Sequence, residues 1–168
     1  MRIGLHGTVR RVWGCRGTKV RQHVQIAYHW RYLFLAVDAQ RGQLYWCWRD
    51  TLTGIAIRQA GRGLRQNTPL TAVVWDRAPG HRDKGVQTLG MPLIDLPPYS
   101  PELNPAERVF EEVRRVVEGT TYASLDAKVA AVTAVLEELD ADPERVRHLT
   151  NWHWIDTALH QLPDDIAA

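Results

Sequence analysis

The sequence predicts an α/β fold: a mixed sheet, antiparallel strands first and strand–helix units after, with helices packed on it and a helical C-terminal end. Three observations predict it. The first half carries short β-rich runs divided by glycine-containing turns. The middle holds two short apolar runs, TAVVWD and MPLIDLP, and the last third has apolar residues at helical spacing. That order suits helices laid against one sheet.

The elements follow in order. Residues 8–14 (TVRRVWG) alternate roughly, and a turn follows at Gly14 to Gly17. Residues 22–38 (QHVQIAYHWRYLFLAVD) hold two β-rich runs with a break near Trp30 and Arg31. AQRGQ is a turn and LYWCW (44–48) the next strand, so the two form an antiparallel hairpin. Residues 53–65 allow a helix, weakened by Gly54, Gly61 and Gly63. Residues 71–76 and 91–97 read as buried strands, with a short helix at 83–89 between them. PPYSPELNP is a proline-rich loop, excluded from helix and from central strand.

From Asn104 the pattern becomes helical. Ala106, Val109, Phe110, Val113, Val116 and Val117 give an amphipathic helix to about Glu118, ended by Gly119. Ser124 begins a second helix, whose apolar face includes Leu125, Val129, Val132, Val135, Leu136 and Leu139. Pro143 opens a shorter one to about Leu149, and NWHWIDTALHQL forms a last turn or helix.

Composition bounds the function. At 168 residues, 45% hydrophobic and 24% charged, the chain suits one globular domain with a real core. No apolar run approaches the ~18–20 residues of a membrane span, and the N-terminus lacks a signal core. Cys15 and Cys47 lack metal spacing and read as reduced thiols of a cytosolic protein. The net charge is only +2, but residues 1–31 carry seven Arg and Lys and no acid, a surface for phosphate or for solvent alike.

Two acids stand out. Asp76 ends a buried strand, where α/β sheets build their sites, although an Asp there also forms turns. Glu107 stands third in a helix opened by Asn104 and Pro105, the position of a capping-box Glu. One chemistry would use both. Attack on a phosphodiester needs an activated nucleophile and a neutralised leaving oxygen, which two Mg²⁺ ions about 3.5–4 Å apart supply. Such ions prefer carboxylates, about three of them, held on rigid element ends.

VVWDRAPGHR followed by LIDLPPYSPELNPAERVFEEVRR resembles the second-Asp and Glu segments of mariner-superfamily DDE transposases, the group that includes many bacterial insertion sequences. MRIGLHGTVRRVWGCRG resembles the segment after the first catalytic Asp. The resemblance implies an RNase H-like catalytic domain over residues 1–120, with a helical extension, 121–168, packed on it. It implies a DDE endonuclease that cleaves and joins DNA in transposition with Mg²⁺ or Mn²⁺, two ions in the complete site. By this match Asp76 and Glu107 are catalytic, metal-binding carboxylates. His81, Asn104, Arg10 and Arg11 are expected around them or on DNA; Tyr99 and Ser100 are expected to shape the loop. Arg108, Arg114 and Arg115 are expected on a solvated face paired with Glu111, Glu112 and Glu118. DNA and a second copy of the chain are the implied partners, with no membrane, in a bacterial cytoplasm at the nucleoid.

One departure from the family pattern matters. Arg2, Gly4 and Leu5 match the end of an Asp-Glu-x-Arg-x-Gly-Leu context, so the first catalytic Asp would fall just ahead of Met1. Asp38 is the in-chain substitute, but it precedes a hairpin turn that accounts for it. The chain alone is therefore expected to be incomplete and inactive. A non-catalytic DNA-binding or dimerisation remnant is the alternative.

Overall fold

The computed structural model describes residues 1–7, 11–68, 72–76, 86, 89–90 and 92–160, with Ala158 and Leu159 described by backbone alone. Strand β1 (Arg2–Gly4) pairs antiparallel with β2 (Trp30–Asp38), and β2 pairs antiparallel with β3 (Gln43–Arg49). After α1 (Gly54–Asn67), β4 (Val73–Trp75) and β5 (Leu93–Asp95) form a parallel pair. Helices α2 (Pro105–Val117), α3 (Leu125–Asp140), α4 (Pro143–Thr150) and α5 (His153–His160) complete the order.

The expected single mixed sheet is present in two pieces. Among the described residues a three-stranded sheet, β1-β2-β3, and the pair β4-β5 share no ladder. The expectation of buried strands at β4 and β5 also needs correction. Val74 is 41% exposed, because a two-stranded pair offers it no further layer.

The β2–β3 hairpin closes through Asp38. Its carboxylate accepts from Arg41 N at 2.9 Å and from Arg41 Nη1 at 3.1 Å, and its carbonyl accepts from Gly42 N. Gly42 has φ +69°, and a Cβ there would meet the carbonyl oxygen of Pro143 at 2.1 Å. Asp38 is thus a turn former, as its sequence context indicates.

Residues 22–29 form no strand. Leu5 N bonds His29 O in the register of β1, but Gly7 N bonds Gln25 O, a slip of two residues that ends the ladder. Val24, Ile26 and Tyr28 alternate in sequence yet remain exposed, since among the described residues no strand pairs beyond them.

Side chains alternate across β2, and the core divides accordingly. Leu33, Leu35 and Val37 pack with Val109, Val113 and Leu136 of α2 and α3, and Phe34 packs the other way, with Ile57 of α1 and Trp75. Helices thus cover both faces. Val109, Phe110, Val113 and Val117 are buried, each worth about 1.5–3 kcal/mol as an upper estimate. Val116, expected on that face, is exposed. Polar ties lock α3 to the sheet: Lys128 Nζ donates to Gly4 O at 2.8 Å, Trp48 Nε1 to Thr133 Oγ1 at 3.1 Å, and Leu44 N to Asp140 Oδ1 at 3.0 Å. No described helix is long and apolar enough to cross a membrane.

Candidate active site

Asp76 follows β4 directly. The preceding Trp75 packs against the α1-side core and donates its Nε1 to Asp95 Oδ1 at 3.1 Å, one strand over. The ladder continues past it, since Leu96 N bonds Trp75 O. Alternation then turns Asp76, which is exposed, to the face opposite Trp75.

Glu107 reaches that side from the first turn of α2. The helix starts where it does because Asn104 Oδ1 accepts from Ala106 N at 3.1 Å and Pro105 brings a preset φ. The expected capping box does not form. Asn104 N donates to Pro101 O at 3.0 Å, closing a 3₁₀ turn at Pro101–Leu103 inside the loop expected to have no helix. With the cap amide occupied, the Glu107 carboxylate turns to Arg114 Nη2 at 3.3 Å. Arg114 was expected on the solvated face; the other two arginines there do pair locally, Arg108 with Glu111 and Arg115 with Glu112.

The start of β1 lies beside both acids. The Met1 ammonium donates to Leu33 O at 2.7 Å. Burial lowers its pKa most, Glu107 raises it, Arg114 lowers it and Asp76 raises it. A single cation therefore senses both carboxylates. Asp76 and Glu107 thus lie near the same end of β1.

Other expected residues fall elsewhere. Asn104 caps α2, and Ser100 bonds Pro98 O weakly at 3.4 Å. Arg11 is exposed in the irregular stretch after β1. His81 and Arg10 lie outside the described residues. Tyr99 has a positive φ of 59° and a fully exposed ring, a conformation costly for an aromatic residue and invisible to sequence reading. Asp95, which sequence reading passed over, ends β5 beside Trp75.

The donors fit a hard divalent cation in kind. Asp76 and Glu107 are carboxylates on rigid element ends. They fall short in number: among the described residues no three His, Cys, Asp or Glu side chains gather into a metal-binding group.

Comparison with known proteins gives a family and a fold. Residues 1–127 match the family of DDE superfamily endonucleases. Comparison with curated proteins gives no match. Among solved structures, the chain is similar to the Mos1 transposase in its paired-end complex with the left transposon end, with a TM-score of 0.65 and 16% identity. The likeness covers 99% of this chain but 53% of that one, so this chain spans about half the length of the Mos1 transposase. At that identity the likeness concerns the fold.

Proposed function

The chain belongs to the DDE superfamily endonucleases, and from that premise we propose that it is the catalytic portion of a mariner-type transposase of the bacterial insertion-sequence class. Its reaction is cleavage of a DNA phosphodiester and joining of the released 3′ end to a new site. The carrying observation is that Asp76, at the end of β4, and Glu107, at the start of α2, both lie within electrostatic reach of Met1, just ahead of β1.

Asp76 and Glu107 would hold the divalent ions, Mg²⁺ or Mn²⁺, which when bound activate the attacking oxygen and neutralise the leaving one. The chain's own residues supply position. The β4 ladder fixes Asp76, Asn104 fixes the first turn of α2, and Arg114 holds the Glu107 carboxylate in one orientation.

The third carboxylate is read as the residue two before Met1 in the longer protein. Arg2 pairs with Tyr32, and Met1 O accepts from Leu33 N at 2.8 Å, so the β1 register runs on towards Leu35. Ile3 and Met1 face the core under α2. By the period of two, the residue two before Met1 faces the same way, towards Glu107. We read 1–120 as the RNase H-like catalytic unit and 121–168 as a helical extension sharing its core. The partners are DNA and, to bring two ends together, a second copy of the chain, acting at the nucleoid.

The test is Mg²⁺-dependent nicking of plasmid DNA. A chain carrying a short apolar strand that ends in Asp-Glu ahead of Met1 should nick, and the 168-residue chain should not. Equal nicking by both overturns the three-carboxylate reading.

A further inference from the structure

Helix α1 carries Arg58, Arg62 and Arg65 and no acidic residue. The spacings of four and three set the three guanidinium groups on one stripe, opposite the face that buries Ala56 and Ile57. From Arg58 to Arg65 the stripe covers seven residue steps, about 10.5 Å at 1.5 Å per step.

Arginines on the other helices are treated differently. On α2 and α4 each one has an acidic partner: Arg108 with Glu111, Arg114 with Glu107, Arg115 with Glu112, Arg145 with Glu138 and Arg147 with Glu144. Among the described residues the α1 arginines have no ion-pair partner; Arg65 Nη1 bonds Leu89 O at 2.6 Å. Like charges at helical spacing repel, and here nothing within the described chain offsets them. At the C-terminal end of the stripe, Arg62, Arg65, Gln66 and Leu89 line a shallow recess of about 460 Å³. Its charged and amide groups supply several donors in a fixed fork geometry suited to phosphate oxygens.

We propose that Arg58, Arg62 and Arg65 form a contact stripe for the phosphate backbone of duplex DNA, on the sheet face opposite α2. The proposal rests on the reading of the chain as a DNA-processing enzyme and adds where the duplex is gripped away from Asp76 and Glu107. The stripe reads charge and not sequence.

The test uses the 168-residue chain and a duplex of arbitrary sequence, with binding followed by fluorescence anisotropy across a NaCl series. Each phosphate contact contributes about −0.9 to the slope of log K against log salt. The triple variant R58Q/R62Q/R65Q should flatten the slope by about 2 to 3. Triple lysine substitution should restore it, since backbone steering needs charge. R108Q/R115Q/R147Q, which removes arginines already paired, should change it by less than about one. If the glutamine triple does not fold, R62Q alone should flatten the slope by about 0.9. Salt-dependent binding by wild type with an unchanged slope in the α1 variants overturns the stripe and leaves the DNA reading standing. Absence of salt-dependent duplex binding by wild type overturns both.

Discussion

Glu107→Gln keeps the side chain's size and removes its charge. Its structural cost can be worked from the geometry. The ion pair to Arg114 is 3.3 Å long, and both side chains are 35% exposed. Screened by solvent, such a pair is worth about 0–1 kcal/mol. Loss of an acid from the first turn of α2 adds about 0.3–1 kcal/mol through the helix dipole. The Asn104 cap and the buried face of α2 are untouched. The total is about 0.3–2 kcal/mol, or a fall in Tm of no more than about 8 °C for a chain of this size. Activity should respond on another scale. Loss of even an outer partner of a metal ligand costs about 10–100-fold, so loss of a ligand should cost at least about 100-fold. Thermal melts by circular dichroism and Mg²⁺-dependent nicking by the extended chain measure the two effects side by side. A drop in Tm well beyond about 10 °C would make Glu107 a structural residue. Nicking within a few-fold of wild type would remove it from the site.

Two further outcomes follow from the fold. Gly42→Ala should lower Tm by at least about 4 °C, since it combines a left-handed φ with a Cβ driven into the Pro143 carbonyl; a melt within 1 °C of wild type would contradict the contact. Lys128→Met should alter the alkaline pH dependence of stability. Burial lowers the Lys128 pKa below 10.5, so the folded state gives up its proton first. Between the folded and unfolded values the unfolded chain binds more protons, and stability rises with pH towards 10.5. The wild type should gain on K128M as pH climbs through that window. Cys47, whose pKa burial raises, acts in the opposite sense in both proteins and cancels in the difference; Tyr122, whose ring lies 5.7 Å from Lys128 Nζ, is replaced by Phe in both proteins so that its own raised pKa drops out. A flat difference would contradict the burial of the Lys128 ammonium.

The sequence made the site's supports legible because they are local. Asn104-Pro105 announces α2, and AVVWD announces a strand running into Asp76, both from a few consecutive residues. What it could not show depends on residues far apart in the chain. Glu107 looks like a capping-box residue until Asn104 N is found bonded to Pro101 and Arg114 is found two turns along the same helix face. Residues 22–29 alternate as a strand does, but a strand requires a partner in register, and the two-residue slip between Gly7 and Gln25 denies it one. The split between β1-β2-β3 and β4-β5 is likewise a matter of pairing. Asp95 was passed over because its relation to Trp75 arises only when two strands lie side by side. The α1 arginines were passed over because a charged helix face is unremarkable until its neighbours' charges prove to be paired.

The central claim is that Asp76 and Glu107 are two thirds of one metal site, whose third carboxylate is proposed to lie just ahead of Met1. The most direct measurement is the rate of Mg²⁺-dependent nicking by the chain extended with Asp-Glu, compared with the same chain carrying Asp76→Asn. A rate at least about 100-fold lower in the variant, with both proteins melting within a few degrees of each other, is the predicted result. Equal rates in the two proteins would contradict the claim.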